Sequence, residues 1–178
     1  MIAKILRERI TAAVHLSPPA ALLTGDQSRK ADLSYRPAAV LVGIIPRPDP
    51  TILLTTRRAD MRQHPGQIAF PGGRVDADET IVEAAIRESG EEIGLHNSAI
   101  EILGCLDPYQ TITGYQVTPV IALLAAEAQI KINEQEVADY FELPLAHAMD
   151  ANNHIHHQIT HDGRLRQYYE IAYHDRHI

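Results

Sequence analysis

The sequence predicts a mixed α/β sandwich rather than a doubly wound parallel sheet. Two observations carry this. Strand-like apolar runs recur along most of the chain, and one strongly amphipathic helix stands among them. A third observation sets the topology class: strands and helices do not alternate regularly, as a chain of β–α–β units would require.

Taken in order, residues 2 to about 15 place Ile2, Ile5, Leu6, Ile10, Ala13 and Val14 at helical spacing, with Pro18 and Pro19 to end the helix. Residues 17–35 are mixed and polar and read as an arm. The strand-like runs are 38–45, 51–57, 67–70, 100–107 and 116–124. The segment "PRPDP" at 46–50 is a turn, because no central strand accommodates that proline content. Two further runs, 156–160 and 164–171, flank His161-Asp162-Gly163, and Asp-Gly is a strong hairpin signal. A helix is predicted from about Thr80 to Ile93. Thr80 with Glu83 forms a capping box, and Gly94 suits the left-handed residue past the end. Val82, Ala85, Ile86, Ser89 and Ile93 make its inward stripe. Gly90 is costly inside a helix, by about 1 kcal/mol relative to Ala. The expected division is an N-terminal helix and arm, 1–34, followed by a domain over 35–178.

Composition narrows the function classes. The 178 residues are 45% hydrophobic and 22% charged, in the range of globular domains. Sixteen basic and 23 acidic residues give a net charge of −7, a poor match to general nucleic-acid binding and a good one to a carboxylate-rich cation site. Cys105 is the single cysteine, which excludes an intrachain disulfide and a Cys-rich zinc site. It reads as a buried strand residue. The N-terminus is interrupted by Lys4, Arg7, Glu8 and Arg9, and no apolar run reaches about 18 residues, so neither a signal peptide nor a membrane span is expected. The expected location is cytoplasmic.

The chemistry is concentrated in "FPGGRVDADETIVEAAIRESGEEIGL", Phe70 to Leu95. At about 100° per residue, Glu88, Glu91 and Glu92 fall at relative angles of about 0°, 300° and 40°, on one side of the helix. Like charges so placed destabilise a helix. One arginine, Arg87, does not neutralise three carboxylates, whereas a divalent cation beside it supplies the charge that is missing. Oxygen-only donors suit Mg²⁺ or Mn²⁺. A solvated acidic face also collects carboxylates, and the flanking residues decide between the two. Gly72 and Gly73 permit close backbone approach before the helix. Glu79 and Arg87, eight apart, can pair across roughly two helical turns.

The segment resembles the Nudix box of the Nudix hydrolases, G-x5-E-x7-R-E-U-x-E-E-x-G-U, with U a bulky aliphatic residue. Gly73, Glu79, Arg87, Glu88, Glu91, Glu92, Gly94 and Leu95 hold its fixed positions, and Ser89 stands where the family usually has an apolar residue. The resemblance implies the Nudix α/β/α sandwich and hydrolysis of nucleoside diphosphate derivatives. It implies Mg²⁺ or Mn²⁺ held by Glu88, Glu91, Glu92 and the Gly73 carbonyl. Glu91 or Glu88 would serve as the base, with Arg87 and Glu79 bracing the loop. A Nudix sandwich usually closes with a helix after its last strands. The chain runs to "YHDRHI" with no helical pattern to supply one, so two alternatives stand: the chain is a piece of a longer one, or another element such as the N-terminal helix covers that face.

Immediately upstream, Leu53–Gly73 runs into the box, and Arg57, Arg58, Arg62, His64 and Arg74 make this the most basic region of an acidic chain. It resembles the signature of the coenzyme A pyrophosphatase branch, L-L-T-x-R-S-x3-R-x3-G-x3-F-P-G-G. Leu53, Leu54, Thr55, Arg57, Arg62, Gly66, Phe70, Pro71, Gly72 and Gly73 match, and Arg58 replaces serine. The two motifs span 53–95, and residues 136–145 also look family-like. This implies a coenzyme A-like pyrophosphate as the small-molecule substrate, with Arg57, Arg58, Arg62 and Phe70 as substrate-binding candidates. No nucleic acid or membrane partner is expected, and a homodimer stays open. Two alternatives stand beside it: a broader nucleotide pyrophosphatase and a Nudix domain that binds a nucleotide without hydrolysing it. Among other residues, His154, His156, His157 and His161 invite a zinc hypothesis that a hairpin of exposed imidazoles does not need. Tyr168, Tyr169 and Tyr173 read as strand packing rather than base stacking. Glu136 is a secondary candidate for a late-loop base.

Overall fold

The computed structural model describes residues 1–17, 23–24, 35–61, 65–111, 113–161 and 164–178. In chain order the elements are α1 (Ile2–Thr11), β1 (Leu23–Thr24), β2 (Arg36–Ile45), β3 (Thr51–Arg57), β4 (Ile68–Ala69), β5 (Gly72–Arg74), α2 (Ile81–Ile93), β6 (Ile100–Cys105), β7 (Tyr109–Gln110), β8 (Tyr115–Leu124), β9 (Val137–Pro144), α3 (Leu145–Met149), β10 (His154–His161), β11 (Arg164–Tyr173) and β12 (Arg176–His177).

Strands β2 and β8 are parallel over nine residue pairs and form the spine of a mixed sheet. The other edge of β2 is divided. At one end it pairs with β3, through Ile44 and Ile45. At the other end it pairs with β5, where Ala38, Ala39 and Val40 oppose Arg74, Gly73 and Gly72. The sheet therefore forks, and β3 continues outward to β4 and β9. The fork brings the Gly72–Gly73 segment against the sheet centre. Gly72 is required there, since a Cβ at 72 would lie 2.6 Å from Val40 Cα.

Two apolar layers flank the sheet. Ala39, Leu41, Leu53, Val120, Ala122 and Leu124 pack against Ala84, Ala85 and Ile93 of α2. On the opposite face Ile44, Leu103, Ile121 and Leu123 receive Ala3, Leu6, Ile10 and Val14 from the N-terminal segment. Helix α1 ends at Thr11 rather than near 15, because the chain turns to bridge the sheet: His15 N–H donates to Cys105 O (2.9 Å) and Cys105 N–H to His15 O (2.7 Å). Pro18 and Pro19, expected to stop it, lie outside the described residues. Within the arm, Leu23–Thr24 adds a short strand parallel to β7. Cys105 is buried, as a strand cysteine should be. No helix among the described residues is long and apolar enough to cross a membrane.

The predicted strands are present, with ends shifted by one to two residues. The hairpin is present in the register a two-residue loop demands, His161 opposite Arg164, although Asp162 and Gly163 lie outside the described residues. Strand β5 escaped the sequence reading because Gly-Gly-Arg carries no strand pattern. Its pairing comes from a partner more than 30 residues away. On the second face, α1 covers one end, while Ala148, Ile171 and Ile178 stand over Val40, Ile52 and Leu54 at the other. Along the hairpin, His157 stacks on Tyr168 (centroids 5.1 Å, planes 18° apart), His156 meets Tyr169, and Tyr173 meets His147. Tyr168 and Tyr169 nevertheless stay exposed. Among the described residues no histidine cluster of metal-binding geometry forms.

Candidate active site

Helix α2 begins where its cap chemistry dictates. Glu83 N–H donates to Thr80 Oγ (3.2 Å), and Thr80 N–H donates to the Glu83 carboxylate (2.7 Å). Gly94 closes it at φ 64°. The buried face is Ala84, Ala85, Ser89, Glu92 and Ile93, rotated from the expected stripe so that Val82 and Ile86 are only half-buried. Small residues let the helix lie close to the sheet. Ser89, fully buried, donates its hydroxyl to Ala85 O one turn back (2.6 Å), so it costs no unsatisfied polar group.

Arg87 is the hub of the site. Its Nε and Nη2 fork onto Glu79 (3.0 and 2.7 Å), and Nη2 also donates to the Arg74 carbonyl (3.0 Å). Its Nη1 donates to Glu88 (3.0 Å) and Glu91 (3.1 Å). The Arg87 fork, helped by the Asp76 amide, holds the Glu79 carboxyl below the usual carboxylate range. Glu79 in turn holds the Arg87 proton more firmly than usual. The box loop is thereby fastened to the helix as its spacing predicts.

Glu92 points inward. It is 3% exposed, accepting from Gly72 N–H (3.1 Å) and from Arg57 Nη1 (3.4 Å). Burial pushes its carboxyl up to about 7 against the pull of the Gly72 amide and Arg57, with Glu88 and Glu136 adding to the rise. Burial also raises Glu88, against the pull of Arg87, with Glu91 and Glu136 adding to the rise. Glu88 lies across Gly73, and a Cβ at 73 would stand 2.6 Å from its Oε2. Any side chain at 73 would push that carboxylate out of its present position.

Four carboxylates, Glu79, Glu88, Glu91 and Glu92, thus share two arginines, with Glu136 close enough to act on two of them. Among the described residues no three acids converge on one point, because Glu88 and Glu91 turn to Arg87 and Glu92 to Gly72. The donor set nevertheless fits a hard divalent cation. The donors are all oxygen, the glycine cradle admits a carboxylate, and a buried glutamate carries more negative neighbours than arginine compensates. Glu88, Glu91, Glu92 and the Gly73 carbonyl are the residues that can hold it. Glu79 is committed to Arg87.

The substrate-binding candidates divide. Arg57 turns inward onto Glu92, and its buried Nε has no hydrogen-bond partner among the described residues. Arg58 is taken up by Asp60 (2.8 and 2.7 Å) and the Glu134 carbonyl (2.7 Å), tying the 58–60 turn to the 134–136 loop. Arg62 and His64 lie outside the described residues. Phe70 lines an apolar cavity of about 470 Å³ on the second face, with Val40, Leu54, Val117 and Pro119. The inward setting of Glu92 was missed by the sequence reading. Its signal was present, since residue 92 continues the spacing of 85 and 89.

A domain model described as the NUDIX domain matches residues 34–162, well over half of the chain. The chain belongs to the Nudix family. A curated relative from Shigella boydii, an uncharacterized Nudix hydrolase NudL, is 46% identical over 124 residues, covering 69% of this chain and 65% of its own length. The Escherichia coli O1:K1 protein of the same name is 45% identical over the same span. The chain therefore matches just under two thirds of the length of these relatives. Among solved structures, the Mycobacterium smegmatis Nudix hydrolase RenU superposes with TM-score 0.54 at 28% identity, covering 62% of this chain and 71% of its own. A Caenorhabditis elegans Ap4A hydrolase gives TM-score 0.54 at 24% identity, over 63% and 83%. The latter likeness concerns the fold alone.

Proposed function

We propose that this Nudix chain hydrolyses a phosphoric anhydride of a nucleoside diphosphate derivative, and that its substrate is coenzyme A or a derivative of it. The products would be adenosine 3′,5′-bisphosphate and 4′-phosphopantetheine. The observation that carries the substrate is the basic run Leu53–Gly73, which matches the coenzyme A signature and leads directly into the box.

Mg²⁺ or Mn²⁺, held by Glu88, Glu91, Glu92 and the Gly73 carbonyl, would neutralise the pyrophosphate and lower the pKa of water. The protein's own part is positional and basic. Arg87 and Glu79 fix the loop relative to the helix. Gly73 keeps space for Glu88. Arg57 holds Glu92 in register with Gly72. Glu91 is the best-placed base, because its side chain is 56% exposed and held by one 3.1 Å bond. It would take the proton of the attacking water as the new O–P bond forms and the anhydride P–O bond breaks. The broader pyrophosphatase reading keeps the same machinery and differs only in the substrate pocket.

The test is a panel of coenzyme A, ADP-ribose, diadenosine polyphosphates and oxidised dGTP, each with Mg²⁺ and with Mn²⁺, products separated by chromatography. Coenzyme A should show the highest kcat/KM and yield adenosine 3′,5′-bisphosphate. Rapid turnover of another member with no bisphosphate from coenzyme A refutes the substrate assignment. Full activity in excess chelator refutes the cation-dependent mechanism.

A further inference from the structure

On the sheet face opposite α2, three side chains from three strands meet. Arg36 opens β2, Arg74 closes β5 and Tyr115 opens β8. Strand β2 runs between the other two, with Arg36 opposite Tyr115 and Ala38 opposite Arg74. Strand alternation aims Gly73 at α2 and Arg74 away from it. Arg74 Nε donates to the Tyr115 hydroxyl (3.0 Å). The guanidinium carbon of Arg36 stands 4.7 Å from the centre of the same ring, and that of Arg74 5.7 Å.

The cluster is held in place from behind. Tyr115 N–H donates to Thr111 Oγ (3.1 Å), Thr111 N–H donates to Tyr115 O (2.8 Å), and Arg36 N–H donates to Gly114 O (3.0 Å). No carboxylate of the described residues joins it. Arg7, Arg47, Arg57, Arg58, Arg87 and Arg176 each pair with an acid, whereas Arg36 and Arg74, like the exposed Arg9 of α1, form no ion pair among the described residues, in a chain of net charge −7. Two guanidinium groups on one tyrosine repel, and the ring offsets this only in part. The Tyr115 oxygen accepts from Arg74, so its own hydrogen is free to donate. Two forks and a hydroxyl on one spot suit a phosphate dianion.

The cluster also adjoins the carboxylate site. The Arg74 carbonyl is bound by Arg87, and Gly73 is the next residue. Along the same face, Val40 and Val117 continue β2 and β8 into the apolar cavity lined by Phe70. A ligand lying over the β5 edge would reach both sides.

We propose that Arg36, Arg74 and Tyr115 form an anion subsite for a ribose phosphate monoester of the substrate, separate from the anhydride that is cleaved. It rests on the reading that the box acts on a nucleoside diphosphate derivative. With coenzyme A, the group is the 3′-phosphate.

Titration calorimetry on the full chain with chelator present tests this without turnover. Adenosine 3′,5′-bisphosphate should bind about tenfold or more tighter than AMP. The Arg36→Gln/Arg74→Gln double variant should reduce that ratio to near one, with each single variant between. Thermal melts establish that the variants are folded. Adenosine 2′,5′-bisphosphate, as a third ligand, shows whether the subsite reads the ribose position or only the charge. An undiminished ratio in the folded single and double variants overturns the proposal and leaves the arginines as ring packing. A wild type with no preference for the bisphosphates over AMP overturns it as well. The substrate panel reports separately. Loss of the preference in the double variant without coenzyme A cleavage sinks the coenzyme A reading and keeps the subsite. Cleavage with an unaltered preference does the reverse.

Discussion

Toward α2, the Gly72–Gly73 strand looks onto four carboxylates that share Arg57 and Arg87. Away from α2, the next residue, Arg74, joins Arg36 on Tyr115, with no acid paired to either among the described residues. One three-residue strand thus separates an acid-rich side from a base-rich side. An anionic substrate needs a cation on the first and finds fixed guanidinium groups on the second. The acidic side carries charge that its own arginines do not balance, so it should respond to cations. The basic side should respond to anions.

The largest effect is expected from Glu92→Gln. Turnover should fall by about 10²-fold or more, because even groups that only support a metal ligand cost about 10–100-fold when lost, and Glu92 supplies a ligand charge itself. In chelator at pH 8 the same variant should be more stable than wild type, by about 1–3 kcal/mol, because a buried carboxylate that is charged at that pH is gone. Activity assays and melts on one preparation check both signs. A loss of stability together with the loss of turnover would mean that Glu92 is structural.

Gly73→Ala should act almost as strongly on turnover, since a Cβ there displaces the Glu88 carboxylate. A variant with wild-type kcat would show that Glu88 has no fixed place. Arg87→Ala should cost about 1–3 kcal/mol through the lost fork on Glu79, along with a large part of the activity. Wild-type kinetics and metal response would remove its bracing role.

A pH series sharpens the comparison further. The folded chain keeps a proton on Glu92 up to about pH 7, whereas the unfolded chain releases it near its ordinary 4.5. The folded state therefore binds more protons across that window, and stability falls as pH rises through it. At about 1.4 kcal/mol per pKa unit the loss approaches about 3 kcal/mol. Melts in chelator from pH 4.5 to 8 should show the decline, Glu92→Gln should flatten it, and added Mn²⁺ at pH 8 should reverse it. A wild-type slope equal to that of Glu92→Gln contradicts the assignment.

The smallest effect is Gly90→Ala, on the exposed side of α2. A Cβ there meets only Leu95 O at 3.6 Å, so about 1 kcal/mol of stability should be gained, read as a higher Tm.

What the sequence made legible was local. The start and end of α2, its capping box and the Glu79–Arg87 pairing follow from residues within two turns of one another, and the structure has them as read. The branch point of the sheet was not legible, because β5 is a strand only by virtue of β2. Nor was the fate of Arg57 and Arg58. Both read as free cations in a basic run, and their acidic partners are 35 and 2 residues away, with no periodicity to link them. Arg36, Arg74 and Tyr115 lie on three segments that only the sheet register brings together. Glu92 is the instructive case. It was read with Glu88 and Glu91 as one side of the helix, whereas its position at the spacing of Ala85 and Ser89 turns it inward with them.

The central claim is that the acidic side holds a divalent cation through Glu88, Glu91 and Glu92. Mn²⁺ titration followed by electron paramagnetic resonance tests it most directly, with no substrate needed. Wild type should show saturable binding that is lost in the Glu88→Gln/Glu92→Gln variant and kept in Arg36→Gln/Arg74→Gln. Equal Mn²⁺ stoichiometry and affinity in all three proteins would contradict the account.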